Sequence, residues 1–433
     1  GFSMVICFMY LIMTKRLSAL IALILIPIVF ALIGGHYVGL GAMMLDGVKT
    51  LAPTGVMLTF SILYFGIMID AGLFDGLVRF ILKVVKGDPL KVSVGTAVLT
   101  MLVSLDGDSS TTYMIACAAF LPLYQRLGMS VLGMTCLVNI ASGIMNISPW
   151  GGPTARAAAA LHVDAMEIFL PMIPGMLLGC ACLIFTAVVI GRKERARIGI
   201  LDMDGLHHGP VSLGNGSAEQ CDENRRPKMF WPNLILTLGL ITCLIIGVMP
   251  IQILFMVGFA IAIMLNYPNI EQQKTRIAAH ATNVLAVTAV IFAAGIFTGI
   301  LSGTGMVDSM AKSLLHVIPP SFGPFLAVFT ALVSLPFTFF MSNDAFYFGI
   351  LPVIAQTAAQ YGITPLEIAR ASVVGQPVHL LSPLVPSLYL LVALAKVDLG
   401  DHQRFALKWA ILASLGLLVG GLLFGAFPFY QVR

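Results

Sequence analysis

Apolar residues run almost unbroken over residues 17 to 33, 51 to 69, 167 to 190, 231 to 249, 278 to 301 and 405 to 428, with a partial run before Lys15 and a shorter one at 251 to 266. Runs of this length predict helices that cross a bilayer, whose hydrocarbon core takes about 20 apolar residues. Two further regions are apolar but stop at about half to three-quarters of a span. Residues 92 to 104 and 110 to 125 flank the polar string Ser104-Leu105-Asp106-Gly107-Asp108-Ser109-Ser110-Thr111, and residues 322 to 340 and 345 to 360 flank Met341-Ser342-Asn343-Asp344. Each reads as a hairpin that enters the membrane and returns to its own side, over 92–125 and 322–360. Between residues 191 and 229 the pattern gives way to a polar stretch with seven basic residues, a solvated linker that divides the chain into 1–190 and 230–433.

Composition narrows the class. Of 433 residues, 58% are hydrophobic and 10% charged, with mean hydropathy +0.97; soluble proteins carry about 45 to 50% apolar and about 25% charged residues. A water-soluble enzyme is excluded, and the length allows roughly ten to twelve crossings. The expected fold class is an all-α polytopic membrane protein. The net charge of +4 does not point to nucleic acid, because in a membrane protein the placement of Lys and Arg carries the information. With the linker in the cytoplasm, nineteen basic residues fall inside and four (Lys49, Lys312, Arg370 and Arg433) outside, with both termini outside. This tally makes the first hairpin enter from the cytoplasm and the second from outside. The seven cysteines lie mostly in apolar runs and indicate neither a disulfide framework nor a metal site. The first residues read as the tail of a span, and no cleaved signal peptide is indicated.

The two parts carry matching landmarks. Gly128 and Gly362 lie the same distance before Ser148-Pro149 and Ser382-Pro383, at one offset of 234, and Gly72-Leu73-Phe74-Asp75 matches Gly305-Met306-Val307-Asp308 at 233. Two related halves entering from opposite sides predict inverted repeats, a common construction of secondary transporters. After each hairpin a helix breaks at membrane depth. The first, over about 131–162, is interrupted by Asn146-Ile147-Ser148-Pro149-Trp150-Gly151-Gly152-Pro153-Thr154; the second, over about 366–396, by Leu380-Leu381-Ser382-Pro383-Leu384-Val385-Pro386. Paired glycines and prolines four apart do not continue a helix, and irregular backbone persists at this depth only where protein buries it or it lines a watery cavity. The breaks therefore mark a binding site, with freed amides for an anion and freed carbonyls for a cation.

Ionisable residues inside the membrane are rare and functional by default. Here they are Asp106 and Asp108 in the first tip, Asp344 in the second, Arg156 after the first break and His379 before the second. Asp70, Asp75, Asp308, His280, His316 and His402 fall near span ends and read as solvated or capping residues. Arg156 suits a carboxylate or phosphate, yet three buried aspartates repel a free polyanion. A cation that crosses with the anion resolves the conflict: a proton, Na+ or a chelated divalent metal.

The strings SLDGDSSTTYM, NISPWGGPTARAAAAL, FMYLIMTKRLSALIALILIPIVFALIGG and GQPVHLLSPLVPSLYLL resemble the bacterial citrate-metal:proton symporter family of the ion transporter superfamily, across essentially the whole chain. The resemblance implies a homodimer in the cell membrane. In each subunit a scaffold domain would hold a transport domain of two opposed hairpins and two broken helices that moves like an elevator. It also implies uptake of citrate complexed with a divalent cation, Mg2+ or Ca2+, driven by protons, with the cation a co-substrate and no resident cofactor. The related sodium-dicarboxylate carriers have a Ser-Asn-Thr motif at each tip. Here the tips read Asp108-Ser109-Ser110-Thr111 and Ser342-Asn343-Asp344, which favours proton or divalent-metal coupling over sodium.

The expected substrate contacts are Ser109, Ser110, Thr111, Asn146, Ser148, Gly151, Gly152, Thr154, Arg156, Ser342, Asn343, Ser382 and His379, with Asp106, Asp108 and Asp344 for the metal or coupling protons. A sodium- or proton-coupled carrier of another di- or tricarboxylate is the alternative. An intramembrane aspartyl protease is remote, because it needs aspartates on facing continuous helices. Residues 73 to 86 and 308 to 318 read as interfacial connecting arms.

Overall fold

The computed structural model describes residues 1–431 except 15, 86, 200–223, 318 and 320. Lys15, Lys86, Arg433 and most of the predicted linker lie outside the described residues. Those described form helices and connecting turns. In chain order they are α1 (Phe2–Met13), α2 (Ala19–Ile33), α3 (Leu40–Asp70), α4 (Leu73–Val85), α5 (Pro89–Val103), α6 (Ser109–Leu127), α7 (Val131–Met145), α8 (Gly152–Leu161) and α9 (Ala165–Ile198). After the linker come α10 (Phe230–Ile246), α11 (Ile251–Asn266), α12 (Ile270–Gly303), α13 (Met306–Val317), α14 (Leu326–Phe340), α15 (Leu351–Ala359), α16 (Pro365–Ser372), α17 (Gln376–His379), α18 (Pro386–Ala395) and α19 (Leu399–Leu423).

Among the described residues seven helical stretches are long and apolar enough to cross a membrane, which makes this a multi-pass membrane protein. Two of them, Pro89–Asp106 and Gly323–Phe340, turn back instead. Asp88 before α5 pairs with Arg195, and Ser130 after α6 donates its amide to Glu194, so both ends of the first hairpin meet the C-terminal end of α9. Both ends of the second meet the C-terminus of the chain, where Gln431 donates its amide to the Pro324 carbonyl and the Tyr361 ring covers Gly323. Arg370, in the last turn of the short α16, binds the carbonyls of Glu167 and Ala426, which puts the beginning of α9 and the end of α19 beside the foot of the second hairpin. The two hairpins thus enter from opposite ends of the bundle.

The helices pack in two groups, each drawing on both halves of the sequence. In one, α3 lies along α12, with α2 and α11 beside them. Gly47 and Gly299 permit this approach, since a Cβ at Gly47 would run into the Gly295 carbonyl oxygen. In the other, α5, α7, α9 and α19 surround the hairpins and the breaks. The helix starts are chemically marked: Asp108 caps α6 by accepting from the amides of Ser110 and Thr111, and Thr364 with Glu367 forms a capping box on α16.

Several elements are longer than their apolar runs. α3 starts at Leu40, α12 starts at Ile270, and α9 continues through Arg192–Arg197 into the stretch expected to be linker. Hydropathy cuts a helix where its polar face begins, whereas backbone hydrogen bonding carries on. The two expected arms are the helices α4 and α13, and Asp75 of α4 pairs with Arg225.

Candidate functional site

The first tip is a single turn, Ser104–Asp106, followed by Gly107 and the α6 cap. Gly107 has φ +78°, and an added Cβ would sit 3.2 Å from the Trp150 ring. The left-handed backbone favours glycine, and the indole would have to give way to a larger residue. Trp150 holds the tip against the first break: its indole N–H donates to the Leu105 carbonyl at 2.8 Å, while its ring lies 5.6 Å from Phe65 and 5.1 Å from Phe255. One indole therefore touches the tip, α3 and α11 together.

The three aspartates do different work. Asp106 is 6% exposed; one carboxylate oxygen accepts from the Asp108 amide at 2.9 Å, and the other has no partner among the described residues. Asp108 is engaged at the α6 N-terminus, accepting also from the Thr111 hydroxyl at 2.6 Å. Asp344 comes from the second tip and accepts from Arg156 Nε at 2.6 Å. That bond joins the two halves, and Arg156 Nη1 reaches back to the Gly152 carbonyl at 3.2 Å.

A cavity of about 930 Å³ opens beside this pair. Asp106, Asp108, Thr111, Gly152 and Arg156 line it, and it extends toward Asn224 and Arg225 at the linker end. The remaining expected residues sit behind this surface. The Ser109 hydroxyl accepts from Ser142 at 3.0 Å, and Ser110 contributes its amide to the Asp108 cap. Thr154 donates to the Ile147 carbonyl across the first break, where Gly151 N–H bonds the Ser148 carbonyl at 2.8 Å. Ser148 Oγ and Asn146 Oδ1 are buried without partners among the described residues. Ser342 accepts from the Ala345 amide, and Asn343 accepts a long bond from Gln376. Ser382 is fully buried and donates to the Phe339 carbonyl at 2.6 Å; His379 is bonded through Nδ1 to the Thr338 carbonyl at 2.6 Å. These two fasten the second break to α14. The carbonyls freed at that break are occupied by protein: Leu380 by Asn139, Leu381 by Gln403 and Pro383 by Tyr389.

The citrate transporter family model matches residues 8–375. The chain belongs to the citrate transporter family. It is 57% identical over 429 residues to a citrate transporter of Bacillus subtilis (strain 168), covering 99% of each chain, and 54% identical to the Mg(2+)/citrate complex secondary transporter of the same organism, covering 98% of each. The family and these relatives are transporters, not enzymes. Among solved structures, this citrate transporter family member resembles the Alcanivorax borkumensis YdaH transporter, with TM-score 0.61 and 17% identity over 92% of this chain and 90% of that one. It also resembles Neisseria gonorrhoeae MtrF, with TM-score 0.60 and 14% identity over 90% and 85%. At these identities the likeness is one of fold.

Sequence reasoning missed Trp150, Asn139 and Gln376 as organisers of the family member's site. The signal for Trp150 was its place between the proline and the glycines of the first break. His402 was expected near an interface; it is fully buried and bonded to Thr135 at 2.9 Å.

Proposed function

We propose that the chain is a secondary transporter that takes up citrate as a complex with a divalent cation, Mg2+ or Ca2+, coupled to protons. The Arg156–Asp344 pair beside the cavity carries this reading. Arg156 already holds a carboxylate, that of Asp344, in the geometry it would offer a substrate carboxylate. Asp108 and Asp344 alone outnumber the one guanidinium before any anion arrives, so citrate needs a cation with it. Among the described residues no three His, Cys, Asp or Glu side chains converge on a metal position. A divalent ion carried here takes most of its oxygen shell from citrate and water, and Asp106, which lines the cavity and has one oxygen without a partner among the described residues, offers the protein's share. The name of the Mg(2+)/citrate relative supports the same reading.

In this proposal the halves 1–190 and 230–433 are inverted repeats. The group around α3 and α12 is the scaffold, and the hairpins with the broken helices form a transport domain that moves past it as an elevator. α4 and α13 are the connecting arms, the linker is cytoplasmic, and two copies form a homodimer in the cell membrane. The cavity, open toward the linker, then belongs to an inward-facing state. Magnesium citrate binding to the purified protein tests the reading: Arg156→Ala is expected to weaken it at least tenfold, and an unchanged affinity refutes the anion clamp.

A further inference from the structure

Asp106, Asp108, Thr111, Gly152 and Arg156 form one wall of the cavity. α3 and α12 form another, to which Gln272, Arg276, His280 and Asn283 all contribute. Their spacing of four, four and three places them on one face of α12, a polar stripe about 16 Å long on a helix that is apolar beyond it. Polar groups facing a cavity that is lined both by Asn224 and Arg225 at the linker end and by Arg156 mark a pathway.

Within the stripe, one oxygen of Asp70 lies 2.9 Å from His280 Nε2 and 3.5 Å from Arg276 Nη1. Two basic side chains share one carboxylate oxygen. The long contact to Asp70 is the one hydrogen bond of the Arg276 guanidinium among the described residues, so most of its N–H donors have no protein acceptor there. Arg276 and His280 side chains are each only 17% exposed, and Gly66 makes room for the imidazole, since a Cβ there would lie 2.7 Å from the ring. A guanidinium held in place by a shared counter-ion, with most of its fork unclaimed by the described residues, fits a carboxylate ligand.

We propose that Arg276 and His280, positioned by Asp70, form a second carboxylate-binding station on the scaffold side, where the anionic metal-carboxylate complex rests between the linker-side solution and Arg156. The proposal rests on the reading of this cavity as the substrate path. The station faces only the linker side, so its loss has a sided effect, whereas loss of the Arg156 site affects transport from both sides.

The test is magnesium citrate transport in proteoliposomes of known orientation, with substrate presented on one side at a time. Arg276→Gln is expected to raise KM about tenfold for substrate on the linker side, the loss expected for one charge-assisted contact, with a change under about twofold from the opposite side. Arg276→Lys, which keeps the charge and loses the fork, is expected to fall between. An Arg276→Gln effect equal on both sides, or absent from both, overturns the station. If that variant does not insert, Gly66→Ala, which displaces the His280 ring and keeps every charge, carries the same test with the same criteria. Arg156→Gln, measured alongside, is expected to raise KM on both sides. Its failure to do so while Arg276→Gln stays sided refutes the anion clamp and leaves the station standing.

Discussion

If Asp344 occupies the place of a substrate carboxylate on Arg156, citrate has to displace it, and neutralising Asp344 removes a competitor. The bond is 2.6 Å long between side chains 20% and 15% exposed. Charges about 4 Å apart attract by about 4 kcal/mol at an effective dielectric of 20. Desolvation of both partners offsets much of that, and net values for charged hydrogen bonds are about 1.5 to 3 kcal/mol. Asp344→Asn is therefore expected to tighten metal-free citrate binding by about tenfold or more. The same substitution removes an oxygen charge available to the cation, so the factor by which Mg2+ improves citrate affinity is expected to fall. Titration calorimetry on wild type and variant, with and without Mg2+, measures both quantities. Weaker or unchanged metal-free binding in Asp344→Asn refutes the competition and makes Asp344 a direct ligand or a purely structural partner.

Further expectations follow from the packing. Trp150→Ala removes the N–H that meets the Leu105 carbonyl and the ring packed on Phe65 and Phe255; citrate uptake is expected to fall, and unchanged uptake argues against the indole holding the first tip in place. Asn139→Ala leaves the buried Leu380 carbonyl without its donor and is expected to cost about 1 to 3 kcal/mol, read as a lower unfolding midpoint in detergent. Gly47→Leu forces α3 away from α12 and is expected to cost at least about 1 to 3 kcal/mol; an unchanged midpoint contradicts the close crossing.

The helical architecture was legible because spans, hairpins and breaks all leave marks on hydropathy and proline-glycine placement. The tips at Asp106–Asp108 and Ser342–Asp344 stood out as polar strings in apolar surroundings, and both lie at hairpin turns. What hydropathy conceals is which polar residue meets which. Nothing local says that Asp344 pairs with Arg156, 188 residues away, or that His379 and Ser382 spend their hydrogen bonds on α14. The stripe at Gln272, Arg276 and His280 fell outside the apolar run at 278 to 301 or at its edge. The polarity that fits it to line a cavity is the property that ended the run. His280 was accordingly read as an interfacial residue, although its spacing from Arg276 was visible.

Citrate that crosses as a metal complex driven by protons must answer to both the metal and the proton gradient. Labelled-citrate uptake into proteoliposomes, with divalent cations supplied or chelated and with proton and sodium gradients imposed separately, tests this most directly. Accumulation is expected to require Mg2+ or Ca2+ and an inward proton gradient and to ignore sodium. Accumulation that survives chelation and follows the sodium gradient contradicts it.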